Sequence, residues 1–389
     1  MRATRLCLSF VCLLAIPACA QEPTVESHAM TGPPQTVFEA LRPYYDQLDI
    51  ERPSAGAPQS PDPALALTRI AFGSCSDPDR DMSILNRIAA DDADLFIYAG
   101  DNVYGDAYSW DATMPELRSA YAALAASSEF QALRDRTPML AVWDDHDYGM
   151  NDFGRSFLFK EYAERLFLDF WAVPEDDERR RREGIYTSRV YGPEGQRTQI
   201  ILLDTRYFRS DLTRTPQRGA VGRERYIPSE AETQDMLGDD QWAWLEAQLA
   251  VPADLRLIVS SIQVHADGHG WEAWRALPRE RDRFYDLLER SDAEGVILMS
   301  GDRHSAGIYV REDVIDYPLY EITSSALNMS FQDENNESGP HRIGEMYAPV
   351  NYGVIDVNWE TQSVNLEIRD ANGRAVREVA VSLGDLVSR

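Results

Sequence analysis

Short apolar runs that end abruptly in loops of Asp, Asn, Gly, Ser or His constrain the fold of this chain more than any other feature. They occupy residues 68–72, 95–99, 139–143, 199–203, 255–262, 296–299 and 319–322. Runs of that length bounded by turn residues read as buried strands. Between them, helical spacing recurs at 83–90, 114–134, 155–171, 239–250 and 279–289. Trp242, Leu245 and Leu249 form one apolar stripe, and Phe284, Leu287 and Leu288 another. Strands alternating with helices predict an α/β fold, whose ligands lie beyond the carboxyl ends of parallel strands. Residues 351–358, 363–369 and 375–382 alternate with period two between turn signals. They predict an antiparallel C-terminal β segment that completes a second sheet.

The amino terminus speaks to compartment. Arg2 and Arg5 precede an apolar run, 6–16, that closes on small residues around Cys19, the layout of a secretory signal. The order Ile16-Pro17-Ala18-Cys19 resembles a bacterial lipobox, which would lipidate Cys19 and anchor the protein to a membrane. Ala18-Cys19-Ala20 also fits ordinary cleavage, which would release a soluble chain. The lipoprotein reading is preferred, so the expected location is extracytoplasmic, in the periplasm or cell envelope. Residues 1–20 are then the signal, and 21–65 a Pro- and Ser-rich tether with a short helix at 38–48. A single large domain follows at 66–389. With 65 Asp plus Glu against 38 Lys plus Arg, the surface repels phosphate backbones, which argues against nucleic acid as a partner. Of the 4 cysteines only Cys75 lies in the predicted domain, so it has no disulfide partner there.

The strand-end loops hold the chemistry. They are Gly73-Ser74-Cys75, Gly100-Asp101-Asn102-Val103-Tyr104, Trp143-Asp144-Asp145-His146-Asp147 and Ser300-Gly301-Asp302-Arg303-His304. Asp302 and His304 stand two apart, so an extended segment presents both on one side, aimed at one ion. A thiolate at Cys75 and a phenolate at Tyr104 are poor partners for magnesium but suit a highly charged iron centre. Asp101 and Asp145 can bridge or complete hard-cation positions, calcium included. A lone histidine is usually a hydrogen-bonded structural residue. Clusters of this kind in a chain with only 6 histidines argue for a site.

These motifs, together with Asp204-Thr205-Arg206, run in order from about 70 to 304 and resemble the motif series of the PhoD-like alkaline phosphatases. That family is a branch of the calcineurin-like metallophosphoesterases. The resemblance implies a four-layer α/β/β/α sandwich and an Fe(III) site with Ca2+. It implies Cys75, Asp101, Tyr104, Asp145, Asp302 and His304 as ligands, and His146, with Asp101, as the catalytic residues, His146 touching the phosphoryl group. The implied reaction is hydrolysis of a small-molecule phosphate ester, foremost a phosphomonoester, for phosphate acquisition. A phosphodiesterase or phospholipase D-type activity is the first alternative. A non-catalytic calcium or phosphate binder and an iron oxygenase are the others. Asp147 stands where many relatives have Glu, which leaves its role open. Arg2 and Arg5 are not adjacent, so twin-arginine export is not indicated, and metal loading after export is implied.

Asp204 and Arg206 are weaker candidates, for orienting ligands or touching phosphate, and a surface ion pair is an equal reading. Residues 260–271 lie where related enzymes carry a metal-binding His. His265 and His269 are expected there as pocket residues that touch substrate. Trp271 and Trp274 are candidate walls of a substrate site, with core packing the first reading of both.

Overall fold

A computed structural model describes residues 36–388 except 58, 60, 332–336 and 338. The signal segment and Cys19 lie outside the described residues. Strand β1 (Arg69–Gly73) leads through helix α2 (Ser83–Ala89) to β2 (Leu95–Ala99). From there α3 (Pro115–Ala126) and α4 (Ser128–Arg134) lead to β3 (Met139–Val142). All three strands are parallel and fully or largely buried. A second parallel core comprises β5 (Thr198–Leu202), β6 (Leu255–Ser260), β7 (Val296–Ser300) and β9 (Leu319–Ser324). Helices α7 (Gly238–Leu249) and α8 (Pro278–Arg290) connect its first three strands.

The chain returns on itself at its end. Strands β11 (Asn351–Asn358), β12 (Ser363–Asp370) and β13 (Ala375–Ser382) form a meander, and β11 pairs antiparallel with β1. The meander therefore extends the first sheet, in the order β13-β12-β11-β1-β2-β3, and does not complete the second. The second sheet is finished by short strands that lacked a clear signal: β4 (Thr187–Tyr191), β8 (Ala306–Arg311) and β10 (Arg342–Tyr347). Its order is β10-β8-β9-β7-β6-β5-β4. The sheets meet where β9 faces β11 and β8 faces β12 and β13, which makes a mixed α/β fold of two packed sheets flanked by helices.

Other expectations change in detail. The helix expected at 114–134 is two, because Ser127 leaves the helical conformation and its hydroxyl caps α4 by accepting from the Phe130 N–H. The short helix α5 (Asp145–Tyr148) follows β3, and the helix expected at 155–171 is α6 (Lys160–Phe170), a turn shorter at its start. The tether is corrected in its described part. Helix α1 (Val37–Gln47) docks on α6, where Tyr45 stacks on Tyr162 at 4.8 Å and Arg42 binds Glu161 through two 2.8 Å hydrogen bonds. Ala55 is buried and donates its N–H to the Phe170 carbonyl. Among the described residues no helix is long and apolar enough to cross a membrane.

Candidate metal centre

Each parallel strand ends where its polar loop begins, so both sheets deliver their loops to one region. Four of the expected ligands there adopt left-handed backbone: Cys75 (φ 59°), Asp101 (φ 47°), Asp302 (φ 63°) and His304 (φ 53°). Non-glycine residues avoid that conformation, and its concentration in expected ligands marks a place where function overrides local preference. Glycines permit the crowding. A Cβ on Gly100 (φ 106°) would lie 2.6 Å from the Asp144 Cβ, and one on Gly301 would lie 2.5 Å from the Ser74 hydroxyl.

The loops converge on a cluster of donor atoms. Oxygen, nitrogen and sulfur atoms of Cys75, Asp101 and His304 lie within 4.8 Å of one another, as do those of Asp101, Asp145 and His146 and those of Asp101, Asp144, Asp145 and Asp302. Asp101 belongs to all three of these groups, so it would lie beside a cation held by any one of them. The Tyr104 hydroxyl and Asp145 Oδ1 are buried without a hydrogen-bond partner. Burying such atoms unpaired is costly, so their orphaned state fits a cation in contact with them. Burial first, then the neighbouring Asp145, pushes the Asp101 carboxyl well above its ordinary range. Burial also raises the Cys75 thiol and the Tyr104 phenol. A cation would reverse all of these penalties at once. The donor set of thiol, phenol, imidazole and carboxylates thus fits metal.

His304 is prepared for such a role. Its Nδ1 lies 2.7 Å from the Met329 carbonyl, which can only accept, so Nδ1 carries the proton and Nε2 keeps its lone pair. The Phe331 ring stacks on its imidazole at 4.0 Å. His146 is held differently. Its Nδ1 lies 2.6 Å from Asp106 Oδ2, and its ring packs 4.3 Å from Tyr104. Burial would lower the His146 pKa, but the charges of Asp145 and Asp101 and the Asp106 hydrogen bond outweigh it and raise it well above the ordinary value. Asp147 stands away from the cluster's centre. Its carboxylate accepts from the Asp144 N–H at 2.6 Å and the Asn102 N–H at 3.2 Å, tying the loops after β2 and β3 together.

A cavity of about 330 Å³ opens over the cluster, with Tyr104, Asp145, His146, Asp302 and His304 among its lining residues. Trp271 lines it too, with the Arg225 guanidinium 5.3 Å from its ring. Trp274 packs in the core against Trp242.

Three expected substrate contacts are corrected. His265 is fully buried away from the cavity, between the Tyr285 hydroxyl at 2.9 Å and the Leu319 carbonyl at 3.0 Å, and burial lowers its pKa to about 3. His269 accepts from the Trp271 N–H at 3.2 Å and donates to Gln263 Oε1 at 3.0 Å, so neither ring nitrogen is free. Gln263 is itself spent on Tyr309 and Thr323. Arg206 is fully buried behind the cavity wall, its Nε 2.6 Å from Asp144 Oδ1 and its NH1 2.6 Å from Glu272 Oε2. Asp204 is equally buried and accepts from the Trp143 indole at 2.9 Å and from the Arg206 N–H at 2.9 Å.

Sequence reasoning missed Asp106, Asp152 and Glu272. Asp106 stands two residues past Tyr104, within reach of the same motif. Asp152 and Glu272 come together with Asp145 only in the fold, their oxygens within 4.8 Å. No local pattern announces that meeting.

Comparison with known proteins follows the same lines. The family profile for PhoD-like phosphatase matches residues 70–365. The solved structure of PhoD superposes with a TM-score of 0.62 at 15% identity, over 84% of this chain and 70% of that one. GAP50, described as the anchor in the inner membrane complex of Plasmodium, superposes with a TM-score of 0.53 at 12% identity, over 84% of this chain and 90% of that one. At such identities these two likenesses speak to the fold alone. No curated protein matches the chain.

Proposed function

Because the chain belongs to the PhoD-like phosphatase family, and so to the metal-dependent phosphoric ester hydrolases, we propose that it is an exported enzyme that hydrolyses phosphomonoesters. The observation that carries this reading is the set of donor groups that share Asp101, whose members Asp145, His146, Asp302 and His304 line the cavity. Cys75, Asp101, Tyr104, Asp145, Asp302 and His304 would hold the metals, which we take as Fe(III) and Ca2+ from the donor chemistry and the family. Bound there, the metals supply positive charge against the phosphoryl oxygens and acidify the attacking water.

The chain's own groups do the rest. The Asp106 carboxylate fixes the His146 ring through Nδ1, which leaves Nε2 to face the cavity and give a proton to the departing oxygen. Hydrogen bonds from the Asn151 side chain at 2.8 Å and the Asp152 N–H at 2.7 Å lock the Asp145 carboxylate in place. Arg206 holds Asp144 and Glu272 behind it and keeps the wall rigid without touching substrate.

Hydrolysis of phosphodiesters is the second reading. The walls around Tyr108, Trp271, Met329 and Phe331 leave room for another ester substituent. A binder without turnover is the third, because GAP50 shares the fold and is described as an anchor. Paired chromogenic mono- and diesters, offered to the metal-loaded protein, separate these readings. Faster turnover of the monoester supports the proposal, the reverse preference assigns a phosphodiesterase, and metal binding without turnover of either assigns a binder. For export, we propose an envelope protein anchored by lipid on Cys19. A Cys19→Ser protein that stays in the membrane fraction would refute the anchor.

A further inference from the structure

Ser325 follows β9 in the second sheet, yet its hydroxyl reaches Cys75, which follows β1 in the first. It is fully buried and lies 3.1 Å from the Cys75 sulfur. It also accepts the His304 N–H at 2.8 Å. The segment it begins is bound to the Cys75 loop along its length. Leu327 donates to the Ser74 carbonyl at 3.1 Å, Asn328 to the Cys75 carbonyl at 3.3 Å and Met329 to the same carbonyl at 3.2 Å. Met329 in turn fixes His304 through Nδ1. One short stretch of backbone therefore grips two expected ligands that come from different sheets.

The direction of the Ser325–Cys75 bond follows from bookkeeping of protons. A hydroxyl has one proton and two lone pairs. One lone pair is taken by the His304 N–H. A sulfur bound to metal is a thiolate and has no proton to give. The serine must then be the donor, and no other acceptor for its proton stands among the described hydrogen bonds. Ser74 is a poorer partner, its hydroxyl 3.5 Å from the sulfur and 3.4 Å from the Ser324 carbonyl.

We propose that Ser325 is a positioning residue of the metal centre: it donates a hydrogen bond to the Cys75 thiolate and, by accepting from His304, fixes the spacing between sulfur and imidazole. The proposal rests on Cys75 being a metal ligand. A hydrogen bond to a metal thiolate draws charge from sulfur, which lowers the donor orbital and moves sulfur-to-metal charge transfer to higher energy. It also orders the ligands before the ion arrives.

The test uses cobalt(II) as the probe, added to the metal-depleted full chain and followed by absorption. Wild type should give a thiolate-to-cobalt charge-transfer band. In Ser325→Ala the band should move to longer wavelength, and cobalt affinity should fall on the order of tenfold. Ser325→Thr, which keeps a hydroxyl, should return the band towards its original place. A purely structural serine would weaken binding without moving the band. A band that stays in place in Ser325→Ala therefore overturns the proposal while leaving Cys75 as a ligand. Absence of any thiolate band in wild type overturns both.

Discussion

Replacing Arg206 by Met separates a wall residue from a phosphate contact. The guanidinium is fully buried and bridges two carboxylates, each 2.6 Å away and themselves 0% and 1% exposed. Removing one member of such a network leaves charge buried without compensation and costs about 3–5 kcal/mol. The two carboxylates do not suffer equally. Glu272 keeps a second guanidinium, Arg209, at 2.9 Å, whereas Asp144 keeps the neutral Ser261 hydroxyl at 2.5 Å. Burial already raises the Asp144 pKa, and the Arg206 charge holds it back, so the variant lets it rise further. A group whose folded pKa is raised destabilises the fold increasingly as pH climbs above its unfolded value of about 3.9. The loss in Arg206→Met should therefore shrink as the pH is lowered from neutral. Lys should not rescue, since one ammonium cannot span both carboxylates. Urea unfolding of the metal-loaded protein at several pH values measures this. A midpoint unchanged from wild type, accompanied by a raised KM, would show that Arg206 touches phosphate and that the wall assignment is wrong.

Asp106→Asn should lower kcat by about 10–100-fold with metal content unchanged, because His146 loses the carboxylate that orients and charges it. The alkaline limb of the pH–rate profile should move to lower pH, and an unshifted limb would count against the dyad. Stripping metal should make stability depend on pH. Burial and neighbouring carboxylates raise both Asp101 and Asp302, so the metal-free protein should melt at progressively lower temperature as pH rises above about 4. The loaded protein should show little of that slope, and parallel curves would refute the cluster as a cation site. His265→Ala should cost about 1–3 kcal/mol in urea unfolding through its lost buried partners while KM stays put. A change in KM alone would restore the pocket role.

Much of the frame is legible in the sequence because it is local. The parallel strands are apolar runs, and the meander β11 to β13 keeps its alternation and turns. Strand β4 escaped because its middle residues are only partly buried and carry Arg189. Strand β8 begins two residues after His304, and Gly307 interrupts its apolar pattern. In the site, residues beside strand ends could be read because the fold brings strand ends together. His265 and His269 could not be judged so, since a histidine in a loop looks the same whether it faces a cavity or a carbonyl. Ser325, Asp152 and Glu272 act through distances in space that no spacing along the chain encodes.

The place of β1 sets an order of events. It carries Cys75 at its end, and it is flanked on one side by β2 and on the other by β11, where Phe72 pairs with Gly353. Its pairing on that side joins residues far apart in the chain, and contacts of that range form late. A growing polypeptide thus cannot close the sheet around Cys75 until nearly its last strands have been made. Ser325 and His304 also come late in synthesis. An incomplete chain would offer a passing ion only scattered donors, so the ion is committed only once these late segments have been made.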